Sequence, residues 1–190
     1  MAVLSQQGVG DPNDIPVGMI NKVVAITREN ETIVLGSVKD VNINITEERY
    51  THKDNARYAQ TVMDVTLAIN GEVTFTVEEW NDDNLELLTG KPPDMDGRFY
   101  LGLGDVPPVR LEFYHEHHDG RIFCFGVYKA KISSDHALNL SPNTNYPLPV
   151  RATILTDGSG EYGTPIIDGK RPLVYIDLGD FSGDGYGYGY

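Results

Sequence analysis

The sequence predicts a mainly β protein, an antiparallel sandwich or barrel with a single short helix. Apolar and polar residues alternate along many segments, as they do in strands that bury one face. Turn-forming Gly, Pro, Asn and Asp residues separate these segments, and one stretch, residues 81–90, has the pattern of a capped helix. With 190 residues, of which 40 % are apolar, the chain can bury a substantial core in one domain.

The predicted strands follow one another along most of the chain. In the third of them, Val41, Ile43 and Ile45 face one way while Asn42 and Asn44 face the other. About nine or ten strands with no whole-domain repeat suit an antiparallel sandwich or barrel. The predicted segments are 19–28, 32–36, 38–47, 61–69, 72–79, 98–103, 109–116, 121–132, 148–156 and 172–178.

Two connections in the first half of the chain carry specific signals. Residues 48–60 are strongly polar and have no clear period, which predicts a long tip between two long strands, a feature that is often functional. Asn70-Gly71 predicts a type I′ hairpin turn, because that turn requires positive φ at both central positions. We therefore expect the chain to reverse direction at this dipeptide.

The one predicted helix has a start and a stop signal. Asn81 is a good N-cap, acidic residues follow it in the first turn, and Gly90 suits the left-handed position after the last turn. About two turns cannot form a stable helix alone, so tertiary packing must hold it. Leu85 and Leu88 share one face, which we expect to pack against the sheet.

The composition predicts an acidic surface and no disulfide. Asp and Glu number 28 against 15 Lys and Arg, which gives a formal net charge of −13. Such a surface repels nucleic acid, so it indicates either simple solubility or a wall along which DNA passes without binding. The one cysteine, Cys124, lies in an apolar strand, where a buried and unreactive thiol is expected.

The two ends of the chain are predicted to lie outside the β domain. Residues 1–16 contain few apolar groups, which indicates an arm, and they lack the regions of a signal peptide. The sequence contains no run of about 18 apolar residues, so no membrane-spanning helix is predicted. Residues 179–190 are rich in Gly and Tyr and are predicted to form a flexible tail, which leaves residues 17–178 as the β domain.

One histidine cluster allows a metal site. The segment HEHHDG at 115–120 contains imidazole and carboxylate groups that suit zinc or nickel. On a strand, His115 and His117 point one way and His118 points the other. Asp119-Gly120 also predicts a hairpin turn, so a solvated hairpin tip is the favoured interpretation.

No set of residues predicts catalysis. Ser133 and Ser134 lack the G-x-S-x-G motif of a nucleophile, and their closeness to His136 in sequence does not make a triad. The glycine-rich segments lack the lysine of a phosphate-binding loop. The sequence therefore predicts no enzyme activity, no cofactor and no metal. Trp80 is expected to pack in the core, which disfavours a carbohydrate-binding platform.

Two stretches resemble bacteriophage major tail tube proteins. TVMDVTLAINGEVTFTVEEWNDDNLELLTG resembles their strand pair that leads into a short helix of pattern "-N--L--L-G". KISSDHALNLSPNTNYPLPVRATILTD resembles the closing strand of the family. The matching residues there are Ala137, Leu140, Pro142, Pro147–Val150, Ala152, Ile154, Leu155 and Asp157. As an ordered pattern, the resemblance covers residues 17–178.

The resemblance implies a β-sandwich or half-barrel with one short flanking helix and a structural role. Subunits would close into hexameric rings that stack into a tube for genome delivery, and DNA would pass through the lumen without specific binding. The partners would be further copies of the chain, the tape measure protein, and the tail tip and tail terminator proteins. The protein would be made in the host cytoplasm and reside in the virion tail, with no membrane contact.

The resemblance also implies an interface. The polar tip would form the contact between rings, and the Leu85/Leu88 face would cover the outer side of the sheet. The tip residues assigned to this contact are Glu47, Glu48, Arg49, Tyr50, His52, Lys53, Asp54, Arg57 and Tyr58. Three alternatives stay open: another virion β-protein for capsid decoration or tail completion, a small metal-binding module at the histidine cluster, and a carbohydrate-binding module.

Overall fold

The structure, a computed structural model, describes residues 20–36, 38–54, 60–101, 106–116, 121–133 and 147–178. Within these ranges it contains eight strands and one short helix, which confirms the predicted mainly β class. The elements are β1 Ile20–Ile26, β2 Thr32–Val34, β3 Val38–Asp54, β4 Gln60–Val77, α1 Asp82–Thr89, β5 Val109–Glu116, β6 Ile122–Ile132, β7 Leu148–Ile154 and β8 Val174–Asp177.

All the strand pairs are antiparallel, and the sheet follows the order β2-β1-β5-β6-β7-β4-β3. The eighth strand lies off this path because β6 divides its second edge between two partners. Residues 124–127 of β6 pair with β8, whereas residues 130–132 pair with β7. Neighbouring strands twist relative to one another, so a sheet divided in this way curves round its own core as a half-barrel.

The core is built from side chains of β1, β3, β4, β5, β6 and β7, together with α1. Phe75 of β4 and Phe113 of β5 meet edge to face, with ring centroids 5.7 Å apart and an interplanar angle of 75°. In β7 the burial alternates strictly along the strand, as expected for one core face and one outer face. The largest fully buried side chains are Phe75, Phe113, Leu35, Leu88, Leu111, Ile132, Val23, Val73, Val77, Val109 and Val127.

The predicted hairpin turn at Asn70-Gly71 is wrong, since β4 runs without interruption through it. Gly71 pairs with Ile45 of β3 on one side and with Ile154 of β7 on the other. A Cβ atom at Gly71 would lie 2.7 Å from the Cδ1 atom of Ile154. The glycine therefore permits close packing between strands, and pairing on both edges overrides the local preference of Asn-Gly for a turn.

Two further sequence predictions need correction. The polar stretch 48–60 is not a long irregular tip, because β3 continues to Asp54 and β4 begins at Gln60. Residues 98–101 of the predicted strand 98–103 are not a strand, and residues 102–103 lie outside the described residues.

The carboxylate of Asp94 organises residues 94–100 as a loop, which is why residues 98–101 do not form the predicted strand. Asp94 accepts hydrogen bonds from the backbone N–H groups of Asp96 and Arg98 at 2.9 Å each, and from the hydroxyl of Tyr100 at 2.6 Å. These bonds hold residues 94–100 in a compact loop, where a strand ladder cannot form.

The helix α1 has the predicted caps. The Asn81 side chain accepts a hydrogen bond from the backbone N–H of Asn84 at 2.8 Å, and Gly90 has a φ of 72°. Leu87 and Leu88 are buried, and Leu85 is partly buried against the core.

Asn84, whose role was not predicted from the sequence, is fully buried in the first turn of α1. Its Nδ2 donates to the carbonyls of Leu35 at 3.2 Å and Glu79 at 2.9 Å. These two bonds tie the start of the helix to the segments that flank it. The described helix is too short to cross a membrane.

Replacing the helix cap should lower stability measurably. Asn81→Ala removes the acceptor for the N–H of Asn84, and we expect the free energy of unfolding to fall by about 1 kcal/mol. Urea denaturation of the purified protein would measure this loss. Asn81→Ser, which keeps a capping oxygen, is the matched control and should stay close to the wild-type value. Equal stability of the Ala and Ser variants would contradict a role for this cap.

Candidate assembly surfaces

The two longest strands project beyond the rest of the sheet as a two-stranded ribbon. The ribbon consists of residues 46–54 of β3 and residues 60–70 of β4, which pair from Thr46↔Asn70 to Asp54↔Gln60. Pairing between β4 and β7 begins only at Gly71, so in the described part of the chain the ribbon strands pair only with each other. At about 3.4 Å per residue, nine residues of β3 give the ribbon a length of about 30 Å.

The ribbon exposes both charged and apolar side chains. Tyr50 is 49 % exposed and Ile69 is 51 % exposed. Arg49 lies 3.4 Å from the carboxylate of Glu47 and 3.8 Å from that of Asp64, in ion pairs open to water. Exposed ion pairs of this kind add little to stability, so they do not explain why the ribbon should stay ordered alone.

The structure places the predicted tip residues on this ribbon as far as it describes them. Glu47, Glu48, Arg49 and Tyr50 are exposed residues of β3. His52, Lys53 and Asp54 also belong to β3, but their side chains lie outside the description. Arg57 and Tyr58 lie outside the described residues. The contact between rings that these residues are predicted to make stays a prediction.

The predicted solvated histidine tip is wrong for its first member, because His115 is buried in β5. The residue is 4 % exposed, and its ring stacks on Phe123 of β6 with centroids 6.1 Å apart. His117 and His118 lie outside the described residues. Among the residues that are described, no group of three or more His, Cys, Asp or Glu side chains is arranged to hold a metal ion.

A polar cluster around the buried side chain of Glu112 fastens β8 to the sheet. The cluster, called here the β8 clamp, consists of Arg110, Glu112, Tyr114 and Tyr175. The Tyr175 hydroxyl donates to Oε1 of Glu112 at 2.7 Å, and the Tyr114 hydroxyl donates to Oε2 at 2.5 Å. Arg110 donates to the Tyr175 hydroxyl at 2.7 Å and forms a 2.5 Å ion pair with Glu112. Glu112, a residue that is 6 % exposed, thus has both a counter-charge and hydrogen-bond donors for its carboxylate.

Aromatic rings complete the β8 clamp. The guanidinium of Arg110 lies 5.6 Å from the ring centroid of Tyr128 and 5.3 Å from that of Tyr175, within cation–π range. The Tyr175 ring rests directly on the backbone of Gly126, where an added Cβ atom would lie 1.9 Å from a ring carbon. A glycine is therefore required in β6 for β8 to lie in this position.

The β8 clamp was not predicted from the sequence. Arg110, Glu112 and Tyr114 alternate with apolar residues along β5, which is the ordinary pattern of a strand with one solvated face. The signal that could have revealed it is the isolated Tyr175 in a short apolar strand. Nothing local, however, shows that this tyrosine covers the charged face of β5.

Cys124 of β6 and Tyr175 of β8 make the stability of the folded chain sensitive to alkaline pH. Burial raises the pKa of the Cys124 thiol to about 11. Burial, and next the hydrogen bond to Glu112, raise the pKa of Tyr175 above its ordinary value. The described cysteine is buried, as the sequence predicted. A thiol with this pKa is almost wholly protonated at neutral pH and hence unreactive.

Stability is expected to fall as pH rises above the ordinary cysteine pKa of about 8.5. Above that value the unfolded chain loses protons that the folded chain keeps, so the free energy of unfolding decreases with pH, by up to about 1.4 kcal/mol per pH unit per group. The decrease due to Cys124 ends near its folded pKa of about 11. Melting temperatures measured from neutral to alkaline pH would show this decline, and Cys124→Ala should make it shallower. An identical pH profile for the variant would contradict it.

An apolar groove of about 410 Å³ lies between β3 and β8, and we call this groove the seam. Among the described residues β3 pairs with β4 alone and β8 pairs with β6 alone, so no strand pairing crosses the seam. Its lining residues are Ile20 of β1, Val41, Ile43 and Ile45 of β3, Phe113 of β5, Phe125 and Gly126 of β6, and Val174, Tyr175 and Ile176 of β8.

Other predicted site residues are not brought together by the fold. Trp80 is 48 % exposed beside the start of α1, so the expectation that it packs in the core is wrong. Ser134 and His136 lie outside the described residues. Asp157, at the end of the closing β7 segment, is buried and accepts hydrogen bonds from the Tyr162 N–H at 3.1 Å and the Thr164 hydroxyl at 2.8 Å. It thereby shapes the glycine-rich loop.

Solved structures share this fold over most of both chains. A chain of the anti-feeding prophage cap, a tube-terminating cap, has a TM-score of 0.51 and 10 % identity, covering 94 % of this chain and 99 % of that one. A chain of the anti-feeding prophage baseplate has a TM-score of 0.50 and 10 % identity, with 87 % and 97 % covered. A chain of the PVC sheath/tube terminator, from an extracellular contractile injection system, has a TM-score of 0.50 and 12 % identity, with 86 % and 98 % covered.

These similarities extend to the fold alone. No protein-family model and no curated protein matches the chain in sequence. All three similar chains come from a prophage or a contractile injection system. The sandwich or half-barrel with one flanking helix is therefore confirmed as the fold.

Proposed function

We propose that the protein is a structural subunit of a phage-type tail tube that assembles into stacked rings. The observation that carries the proposal is the likeness of fold to a tube-terminating cap chain over 94 % of this chain and 99 % of the other. A match that includes nearly the whole of both chains concerns the overall architecture and not one isolated motif. The rings are proposed to be hexameric and to form a channel for genome delivery.

The ribbon supports this proposal because a hairpin of this kind needs a partner to be stable. A two-stranded hairpin without further partners is marginally stable in water, because it buries little apolar surface. Here such a hairpin extends for about 30 Å and exposes Tyr50 and Ile69. A neighbouring subunit in the next ring would cover these residues and match the charges of Glu47 and Arg49. The ribbon is thus proposed as the contact between rings.

Closure of a ring would also pair the exposed edge strand of the sheet. The outer edge of β3 ends the sheet, and exposed edges invite uncontrolled pairing with other chains. Pairing with a neighbouring subunit in a closed ring satisfies such an edge. The formal net charge of −13 suits a lumen that DNA crosses without binding, because carboxylates repel phosphates. The protein is proposed to act without catalysis and to reside in the virion tail.

The partners follow from the proposed tube. Further copies of the chain would form the rings, and the ends of the tube would contact tail tip and tail terminator proteins, with a tape measure protein inside during assembly. A single terminating ring is the second candidate function, because two of the similar chains come from structures described as a cap or a terminator. A terminator would form one ring and never a long tube.

Negative-stain electron microscopy over a concentration series distinguishes these functions. Hollow tubes of uniform diameter are the expected result for a tube subunit, and isolated rings at every concentration would favour the terminator. A preparation that stays monomeric even after addition of preformed tail tips would contradict both. Metal analysis of the same preparation tests the histidine alternative, which requires a stoichiometric bound ion.

A further inference from the structure

We propose that two ion pairs, Glu72 with Arg151 and Glu78 with Lys39, neutralise cations on the wall of the channel and so prevent the wall from binding DNA. The inference rests on the proposed tube function and assigns the wall to one face of the sheet, called here the polar face. The polar face consists of the side chains that β3, β4, β7 and the end of β6 do not contribute to the core, within residues 39–44, 72–78, 131 and 149–153.

Strand register brings the side chains of the polar face together. Glu72 of β4 lies directly opposite Asn44 of β3 and Thr153 of β7. Lys131 of β6 follows in the same row, beyond Thr153, and Arg151 reaches Glu72 from two residues away along β7. Because directly paired residues share a face of a sheet, these side chains form one continuous surface.

The geometry of a closed ring turns the polar face toward the channel. The opposite side of the same strands packs in the core with side chains of β1, β5 and α1, whereas Asn42, Asn44 and Thr153 on the polar face are exposed. The space around a ring increases with distance from its axis, so the covering layer fits on the outside of the sheet. The same layer on the inside would fill the channel.

The two carboxylates named above each have a cation beside them. Nε and Nη2 of Arg151 each lie 2.7 Å from an oxygen of Glu72, in a two-pronged contact. Glu78, directly after β4, forms an ion pair with Lys39 of β3. The whole chain has 28 acidic residues against 15 basic ones, so a face that sets a basic side chain beside each of these acids differs from the chain as a whole.

Stability alone does not explain these pairs. The side chains of Arg151 and Glu72 are 67 % and 37 % exposed, and ion pairs so open to water add little to stability. A channel wall gives them a different role, because each copy in the stacked rings repeats the same charges. An array of unpaired cations would attract DNA phosphates with salt-dependent affinity, and a carboxylate beside each cation lowers that attraction.

Removal of the two carboxylates tests this role in assembled tubes. Tubes of Glu72→Gln/Glu78→Gln should retain several-fold more of a short fluorescent DNA duplex on sedimentation than wild-type tubes, and added salt should release it. Glu29→Gln/Glu86→Gln removes two exposed carboxylates from the turn after β1 and from α1, outside the polar face, and is the matched control. It should retain no more DNA than the wild type. Equal retention by the two double variants would overturn the inference.

Chemical labelling of tubes tests where the polar face lies. In a Cys124→Ala background, Thr153→Cys introduces a thiol on the polar face and Ile166→Cys introduces one outside it, both at exposed positions. The small reagent N-ethylmaleimide should modify both variants in tubes, whereas a maleimide carried on a long polyethylene glycol chain should modify only the Ile166→Cys variant.

Two labelling results would overturn the inference and leave the tube function standing. Modification of the Thr153→Cys variant by both reagents would place the polar face on the outside of the tube. Modification of this variant by neither reagent would bury the face in a contact between subunits. A preparation without rings or tubes would instead contradict the proposed function on which the inference rests.

Discussion

Tubes are expected to disappear when residues 49–67 are replaced by Asn-Gly. Glu48 and Ala68 face each other in the ladder, so a two-residue type I′ turn can close the shortened hairpin between them without altering the register behind it. The change removes most of the ribbon and none of the core residues that the structure describes. We therefore expect a folded subunit with an unchanged melting temperature that forms no tubes in negative-stain images.

A pair of single substitutions tests the same surface more finely. Ile69→Asp places a charge on the ribbon, where Ile69 is 51 % exposed, and should block tube formation. Ile166→Asp places the same charge outside the ribbon, in the connection between β7 and β8, at a side chain that is 64 % exposed, and should not. Because both side chains are largely exposed, neither change should unfold the protein. Normal tubes from the shortened hairpin would show that the ribbon is not the contact between rings.

The largest loss of stability is expected from Glu112→Ala. The substitution removes the counter-charge of Arg110 and the acceptor for the hydroxyls of Tyr114 and Tyr175. The Glu112 side chain is 8 % exposed and that of Arg110 is 27 % exposed, so the substitution leaves a largely buried charge without its partner and costs about 3 kcal/mol. Urea denaturation should show this loss, and hydrogen exchange should show β8 opening before the rest of the sheet.

An exposed ion pair of similar geometry serves as the control. Glu72 contacts Arg151 at 2.7 Å, but the two side chains are 37 % and 67 % exposed. Glu72→Ala should therefore cost less than about 1 kcal/mol, since water screens and replaces the interaction. If the two alanine variants lost the same stability, the β8 clamp would have no special role.

Much of the fold could be predicted from local patterns. The caps of α1 were predicted because Asn81 and Gly90 act on their immediate neighbours. The course of β4 was not, because Gly71 is held by strands on both sides that lie far away in sequence. The loop at Asp94 was missed for a related reason: its carboxylate gathers backbone donors that the apolar pattern of the next residues does not reveal.

The candidate surfaces, too, were predictable from the sequence only where local residues determine them. The polar character of residues 47–50 was evident in the sequence, whereas the 30 Å ribbon that displays them is visible only once β4 is known to pair with β7 from Gly71 onward. The solvated tip predicted for His115 failed because β6 supplies the stacking ring of Phe123. Exposure of an individual side chain depends on which distant strand covers it.

The sequence by itself determined the mainly β class, the single capped helix, the acidic surface and the polarity of the hairpin end. These properties depend on the residues themselves and on neighbours within about one helical turn or one strand period. The tertiary structure alone decided that β4 is continuous, that Glu112 is buried beneath Tyr175, and that a seam lies open between β3 and β8. Each of these follows from pairing between distant segments, which is selected by the whole core rather than by local preference.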